Sequence, residues 1–198
     1  MEEDSYKTIG DSAEAVFKDK SSKFLAFAYP VTSEDEVKEH LEILRKKYYD
    51  ATHHCYAGRM GPDGGGCRAN DDGEPSGTAG KPILGQMLSK EVTNLLIVVV
   101  RYFGGTKLGV PGLINAYRES AAEVLDNAEI VERTVDVLLE VRFSYIAMND
   151  IMKIVKDMEP QIISQEFDNL CEMKLCIRKN MAGQLQQRLG KVEGAEVN

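Results

Sequence analysis

The amino-acid sequence predicts an α+β protein of two domains, and three observations carry that prediction. Leu95 to Val100 is an unbroken apolar run rich in β-branched residues, the pattern of a strand covered on both faces at the centre of a sheet. Val135, Val137, Leu139, Val141 and Phe143 instead alternate with polar residues, which marks a strand with one wet face. The pattern changes near Ile130 to Thr134, so domains are expected over residues 1–133 and 134–198.

Taken in order, Ala13 to Lys20 and Lys23 to Val31 read as two strands around Ser21-Ser22. Ser33 with Glu36 three residues on forms a capping-box start. Val37, Leu41, Leu44 and Tyr48 continue it as one apolar helical stripe, which ends near Tyr49-Asp50. His53 to Arg59 is the next expected strand. Met60 to Gly80, rich in glycine and without periodicity, reads as one long loop. Pro82 is expected to open a short helix running to Ser89, and Pro111 a longer one ending at Asn127, because proline at a first helical position loses no hydrogen bond. Past the boundary come the alternating strand, a helix with stripe Ile151, Ile154, Val155 and Met158, and strands Gln161 to Phe167 and Cys171 to Arg178. Those two strands are expected to form a hairpin turning at Asp168-Asn169. A helix through Met181, Leu185 and Leu189 leads into a short tail. This βαββα(β) succession suggests a small ferredoxin-like sandwich.

The longest apolar run is far below a membrane span, and the acidic start MEEDSYK is unlike a signal peptide. A cytoplasmic protein without a membrane partner is expected. Its net charge of −8 argues against generic nucleic-acid binding, since that affinity comes from clustered Lys and Arg. No DNA partner is expected, and RNA would need a local basic patch. The four cysteines, few and unevenly spread, are expected to be free thiols.

Three motifs hold the candidate chemistry. In His53-His54-Cys55-Tyr56, strand alternation puts His53 and Cys55 on one face and His54 and Tyr56 on the other. One metal ion therefore cannot take three adjacent side chains, and no metal or cofactor is expected. One histidine belongs to the core and one faces the site, His54 being the expected site-facing one. In Asp71-Asp72-Gly73-Glu74, paired carboxylates suit acid/base chemistry or magnesium. The plainer expectation is a turn whose carboxylates fix the loop, by pairing with Arg59, Arg68 or Arg101. Ser76-Gly77-Thr78-Ala79-Gly80-Lys81 and Gly104-Gly105-Thr106-Lys107 each precede a helix. Free N–H groups and the positive dipole end make such starts natural anion seats. If the fold joins them, a phosphate-sized pocket results, with Lys81, Arg101 and Lys107 at its rim. Its expected lining is Ser76, Gly77, Thr78, Gly80, Lys81, Arg101, Tyr102, Gly104, Gly105, Thr106 and Lys107. His54, Arg59, Asp71, Asp72 and Glu74 are secondary candidates. The alternative is that the glycines only let a strand pack closely on its helix.

The runs His53 to Ala57, Asp72 to Gly80, and Arg101-Tyr102-Phe103-Gly104-Gly105 with Leu108-Gly109 resemble, in order and spacing, the signature of the Impact/YigZ family. The resemblance covers roughly residues 15 to 130 and implies an N-terminal domain with the left-handed βαβ fold of elongation factor G domain four. The C-terminal domain would resemble that factor's fifth, ferredoxin-like domain. Eukaryotic members act in translational control, relieving inhibition by a starvation-responsive kinase, and carry an extra RWD domain. Here the family-like region begins almost at residue 15, so the two-domain bacterial-type architecture is expected. The first functional reading is a non-enzymatic protein that binds RNA, the ribosome or phosphate and acts in translation or its regulation. One alternative is a metal-assisted phosphoryl-transfer or phosphorolytic enzyme on a nucleotide or RNA. The other is a regulator that binds a translation-related protein.

Overall fold

In the computed structural model, which describes residues 4–168 and 170–198, the chain divides into two units. One comprises Tyr6–Arg133, and the other joins residues 4–5 to Thr134–Asn198.

The first unit contains β1 (Ser5–Ile9), β2 (Ala13–Asp19), β3 (Ser22–Pro30), α1 (Glu34–Lys47), β4 (His53–Met60), β5 (Gly66–Asn70), α2 (Gly80–Ser89), β6 (Leu95–Tyr102), α3 (Gly109–Asn127) and β7 (Ile130–Thr134). Its five-stranded sheet has the order β2-β3-β6-β4-β5, antiparallel throughout. β6 is the middle strand, and its side chains alternate between two covered faces. Leu95, Ile97 and Val99 join the core beneath α2 and α3, while Leu96, Val98 and Val100 pack with Val37, Leu41 and Leu44 of α1. Two-sided burial explains why this strand reads as continuous rather than alternating apolarity.

Local signals placed most of these elements. Ser33 accepts from the Glu36 N–H while the Glu36 carboxylate accepts from the Ser33 N–H, closing the capping box at α1. Both prolines stand two residues inside their helices, which start at Gly80 and Gly109. The third N–H of a helix also lacks an intrahelical partner, so proline is tolerated there for the same reason as at the first position. The 60–80 stretch is not one loop. It holds β5, an exposed edge strand turned back on β4. The signal was weak because β5 buries neither face and so shows no alternation. β1 and β7, unpredicted, pair as a separate two-stranded sheet.

The second unit contains β8 (Asp136–Ser144), a 3-10 turn (Tyr145–Ala147), α4 (Met148–Met158), β9 (Gln161–Phe167), β10 (Leu170–Arg178), α5 (Lys179–Leu189) and β11 (Ala195–Val197). Strand order β11-β8-β10-β9 with a βαββαβ succession is the ferredoxin-like arrangement. Leu139, Val141 and Phe143 of β8 meet Cys171, Met173 and Leu175 of β10 in one core under α4 and α5. Residue Asn169 of the expected β9–β10 turn lies outside the described residues. Asp4 is 2% exposed and belongs to this unit. Its carboxylate accepts from Arg178 Nε and Nη2, both at 2.8 Å, and from the Asn180 N–H.

Candidate functional site: a cavity at the start of α3

The three sequence motifs meet in one place, and the reason is strand register. In the sheet, His53 of β4 lies opposite Arg101 of β6, and the face they share is the one α2 and α3 cover. The Asp71–Gly80 segment crosses above that face. It turns first at Asp72-Gly73, both at positive φ, with the Glu74 N–H donating to the Asp71 carbonyl. A turn of that hand needs residues that accept positive φ, which Asp-Gly supplies. Glu74 is thereby delivered into the protein, where its side chain is 4% exposed.

Glu74 Oε1 accepts from Arg101 Nη1 at 2.5 Å and from the Tyr117 hydroxyl at 2.7 Å. The Arg101 guanidinium carbon lies 5.5 Å from the Phe24 ring centroid and 5.7 Å from that of Phe103. Its Nε is buried and has no hydrogen-bond partner among the described residues. His53 Nδ1 is 2.8 Å from the Asp72 carbonyl oxygen. A carbonyl only accepts, so Nδ1 carries a proton and Nε2 points toward Glu74 Oε2, 3.7 Å away. Beneath them Cys55 Sγ lies 3.0 Å from the Asp71 carbonyl oxygen and 3.3 Å from the Tyr117 hydroxyl. Burial pushes the Cys55 thiol up to about 12, so it stays protonated and unreactive at neutral pH. Burial also raises the Tyr117 phenol, with Cys55 and Glu74 adding to the shift.

Above this floor opens a cavity of ≈ 450 Å³. Its polar lining is Thr52, His53, Glu74, Arg101 and Lys107, and its apolar lining comes from Pro75, Phe103, Leu108, Val110 and Leu113. Gly109 and Val110, the first residues of α3, form part of the rim. Its N-cap residue, Leu108, makes no side-chain capping bond.

The start of α2 is different. Asp71 Oδ1 accepts from the Ala79 and Gly80 N–H groups at 3.0 and 2.8 Å, and Oδ2 from the Gly77 N–H at 2.8 Å. Burial raises the Asp71 pKa, but these three bonds outweigh it and hold the carboxyl below its ordinary value. The expected second anion seat is thus filled by the protein's own carboxylate.

The predicted site residues separate accordingly. Arg101 and Lys107 line the cavity with Glu74, whereas among the described residues Ser76, Gly77, Thr78, Gly80 and Lys81 do not. Thr78 is 2% exposed and donates to the Pro75 carbonyl. Gly105 and Thr106 are exposed on the loop before α3. A Cβ on Gly104 would overlap the Ser21 carbonyl and the Ser22 nitrogen, so that glycine serves close packing. Tyr102 turns to the α1 face and donates to Asp50. Arg59 binds the Val92 and Gly64 carbonyls away from the cavity.

His54 is a correction. It is 9% exposed on the α1 face, its Nε2 3.0 Å from the Tyr48 carbonyl, and His53 is the cavity histidine. Alternation separated the two correctly, but which face carries the site depends on where α2 and α3 pack. The carboxylates take three separate tasks: Asp71 on the α2 amides, Asp72 on the His54 N–H at 2.7 Å, Glu74 on Arg101. Among the described residues no group of three His, Cys, Asp or Glu is arranged to hold a metal ion. Sequence reasoning missed Thr52, Phe103, Leu108 and Val110; the aromatic Phe103 directly after a buried strand was the available signal.

Residues 20–125 match the family described as the Impact N-terminal domain. The chain belongs to the Impact family. It is similar to the IMPACT family member YvyE of Bacillus subtilis, 40% identical over 129 residues that make up 65% of this chain and 59% of YvyE. It is also similar to the IMPACT family member YigZ of Escherichia coli, 29% identical over 160 residues, 80% of this chain and 78% of YigZ. A crystal structure of a hypothetical protein superposes with a TM-score of 0.77 at 26% identity, covering 98% of this chain and 96% of the other. In this Impact-family chain the three motifs that carry the resemblance build the floor and rim of the cavity. No helix among the described residues is long and apolar enough to cross a membrane.

Proposed function

We propose that this protein acts in the regulation of translation by binding a phosphate of RNA at the start of α3. The Impact resemblance supplies the translational setting. One observation carries the binding reading: the chain closes the start of α2 with Asp71 but sets Leu108, which makes no capping bond, at the start of α3, beside Lys107, at the mouth of a cavity. First-turn amides have no intrahelical partner and favour an anion. Arg101 is neutralised by Glu74, so Lys107, exposed and without an ion-pair partner among the described residues, is the cation left for a ligand.

Titration of a single-stranded RNA at several salt concentrations tests this. Lys107→Ala is expected to weaken binding and to flatten the slope of log K against log salt by about 0.7 for each phosphate that is no longer neutralised. An unchanged slope removes the proposal. Arg101→Ala is not a clean test, because it breaks a buried ion pair. A protein-partner reading is favoured by Phe103 and Val110, 48% and 52% exposed at the same rim. It predicts a complex that survives RNase treatment in a protein that binds no RNA.

A further inference from the structure

We infer that the cavity seats one unpaired nucleotide, its base against Phe103 and its 5′-phosphate on the Gly109 and Val110 amides and Lys107. This rests on the phosphate reading above and adds the base to it.

Size is the first argument. A volume of ≈ 450 Å³ falls within the roughly 300–1,000 Å³ of small-molecule sites and far exceeds what a bare phosphate fills. Lining is the second. The side chains of Pro75, Leu108, Val110 and Leu113 offer nothing to an oxyanion, yet they make the walls an apolar planar group needs. Third is Phe103, an aromatic ring left 48% exposed with the Arg101 guanidinium 5.7 Å from its centroid. Such rings are stacking platforms for bases, whatever their identity.

Polar groups complete the slot. His53 Nδ1 is committed to the Asp72 carbonyl, which leaves Nε2 on the cavity wall. Arg101 is 5% exposed and lines the same cavity, and its Nε–H has no acceptor among the described residues. The wall therefore offers the His53 Nε2 lone pair to a base N–H or a ribose hydroxyl, while the Arg101 Nε–H lies sealed beneath it. The cavity takes one base with its sugar and phosphate but not a paired duplex, so the ligand is a nucleoside 5′-phosphate, either free or at the end of an RNA strand.

The test is a titration of the full chain with inorganic phosphate, adenosine, adenosine monophosphate and a 5′-phosphorylated RNA oligomer. Adenosine monophosphate is expected to bind more tightly than phosphate or adenosine. Phe103→Ala is expected to weaken it about 5- to 150-fold, with phosphate binding unchanged and Phe103→Tyr close to the parent. Equal binding of adenosine monophosphate and phosphate, or no effect of Phe103→Ala, overturns the base site and leaves the phosphate reading standing. Failure of every phosphate compound to bind overturns both. Tighter binding of the oligomer than of the mononucleotide assigns the ligand to an RNA end, and the reverse assigns it to a free nucleotide.

Discussion

Glu74→Ala is expected to lower stability by about 3–5 kcal/mol, the range for removing one partner of a buried ion pair. The side chains of Glu74 and Arg101 are 4% and 6% exposed. Without the carboxylate, the guanidinium stays between Phe24 and Phe103 with no countercharge, and the Tyr117 hydroxyl loses its acceptor. Glu74→Gln keeps the volume and an acceptor oxygen but leaves the Arg101 charge uncompensated, so most of the loss is expected to remain. The double change Glu74→Leu with Arg101→Met is expected to recover a large part of it, since apolar pairs of similar volume often replace buried ion pairs at little cost. Urea unfolding of each variant measures this. A loss below about 1 kcal/mol for Glu74→Ala, the level of an exposed pair, would contradict the burial described.

The second large effect is at Asp71. Asp71→Ala strips three N–H groups at the entry to α2 of their acceptor, and a cost of about 3 kcal/mol is expected, given 1.5–3 kcal/mol for a hydrogen bond to a charged group and partial rescue by water. Asp71→Asn should lose less, because its amide oxygen still serves Ala79 and Gly80 while its NH₂ opposes the Gly77 N–H. The pH dependence has a definite sign. The Asp71 carboxyl is held below its ordinary 3.8 in the folded protein, so its contribution is fully present above that value and disappears as pH falls through the folded one. Stability of the parent and of Asp71→Asn is therefore expected to differ at neutral pH and to converge in acid. A gap that widens in acid would mean that the carboxylate is not what the amides hold.

Much of this was readable in advance wherever the cause was local. The Ser33–Glu36 box spans three residues, and the two-sided burial of β6 is written in its own composition. The alternation of β10 placed Cys171 with Met173, Leu175 and Ile177, all buried. What sequence did not reveal depends on partners far along the chain. Asp71 looked like turn chemistry because the amides it holds are up to nine residues on and belong to a helix whose start was expected to be open. Arg101 looked like a rim cation, yet its partner Glu74 is 27 residues earlier and buries it. β5 escaped because an edge strand exposed on both faces carries no periodicity at all.

Asp4 and the Arg178 fork that holds it have a mechanical corollary. Both attachment points of a chain stretched between residues 4 and 198 lie in the smaller unit, while Tyr6–Arg133 is threaded between them as an insert. Tension would first strain the Asp4–Arg178 clamp and the β11–β8 ladder. The insert would bear no load until those had torn, so the cavity would be the last part of the chain to feel the pull.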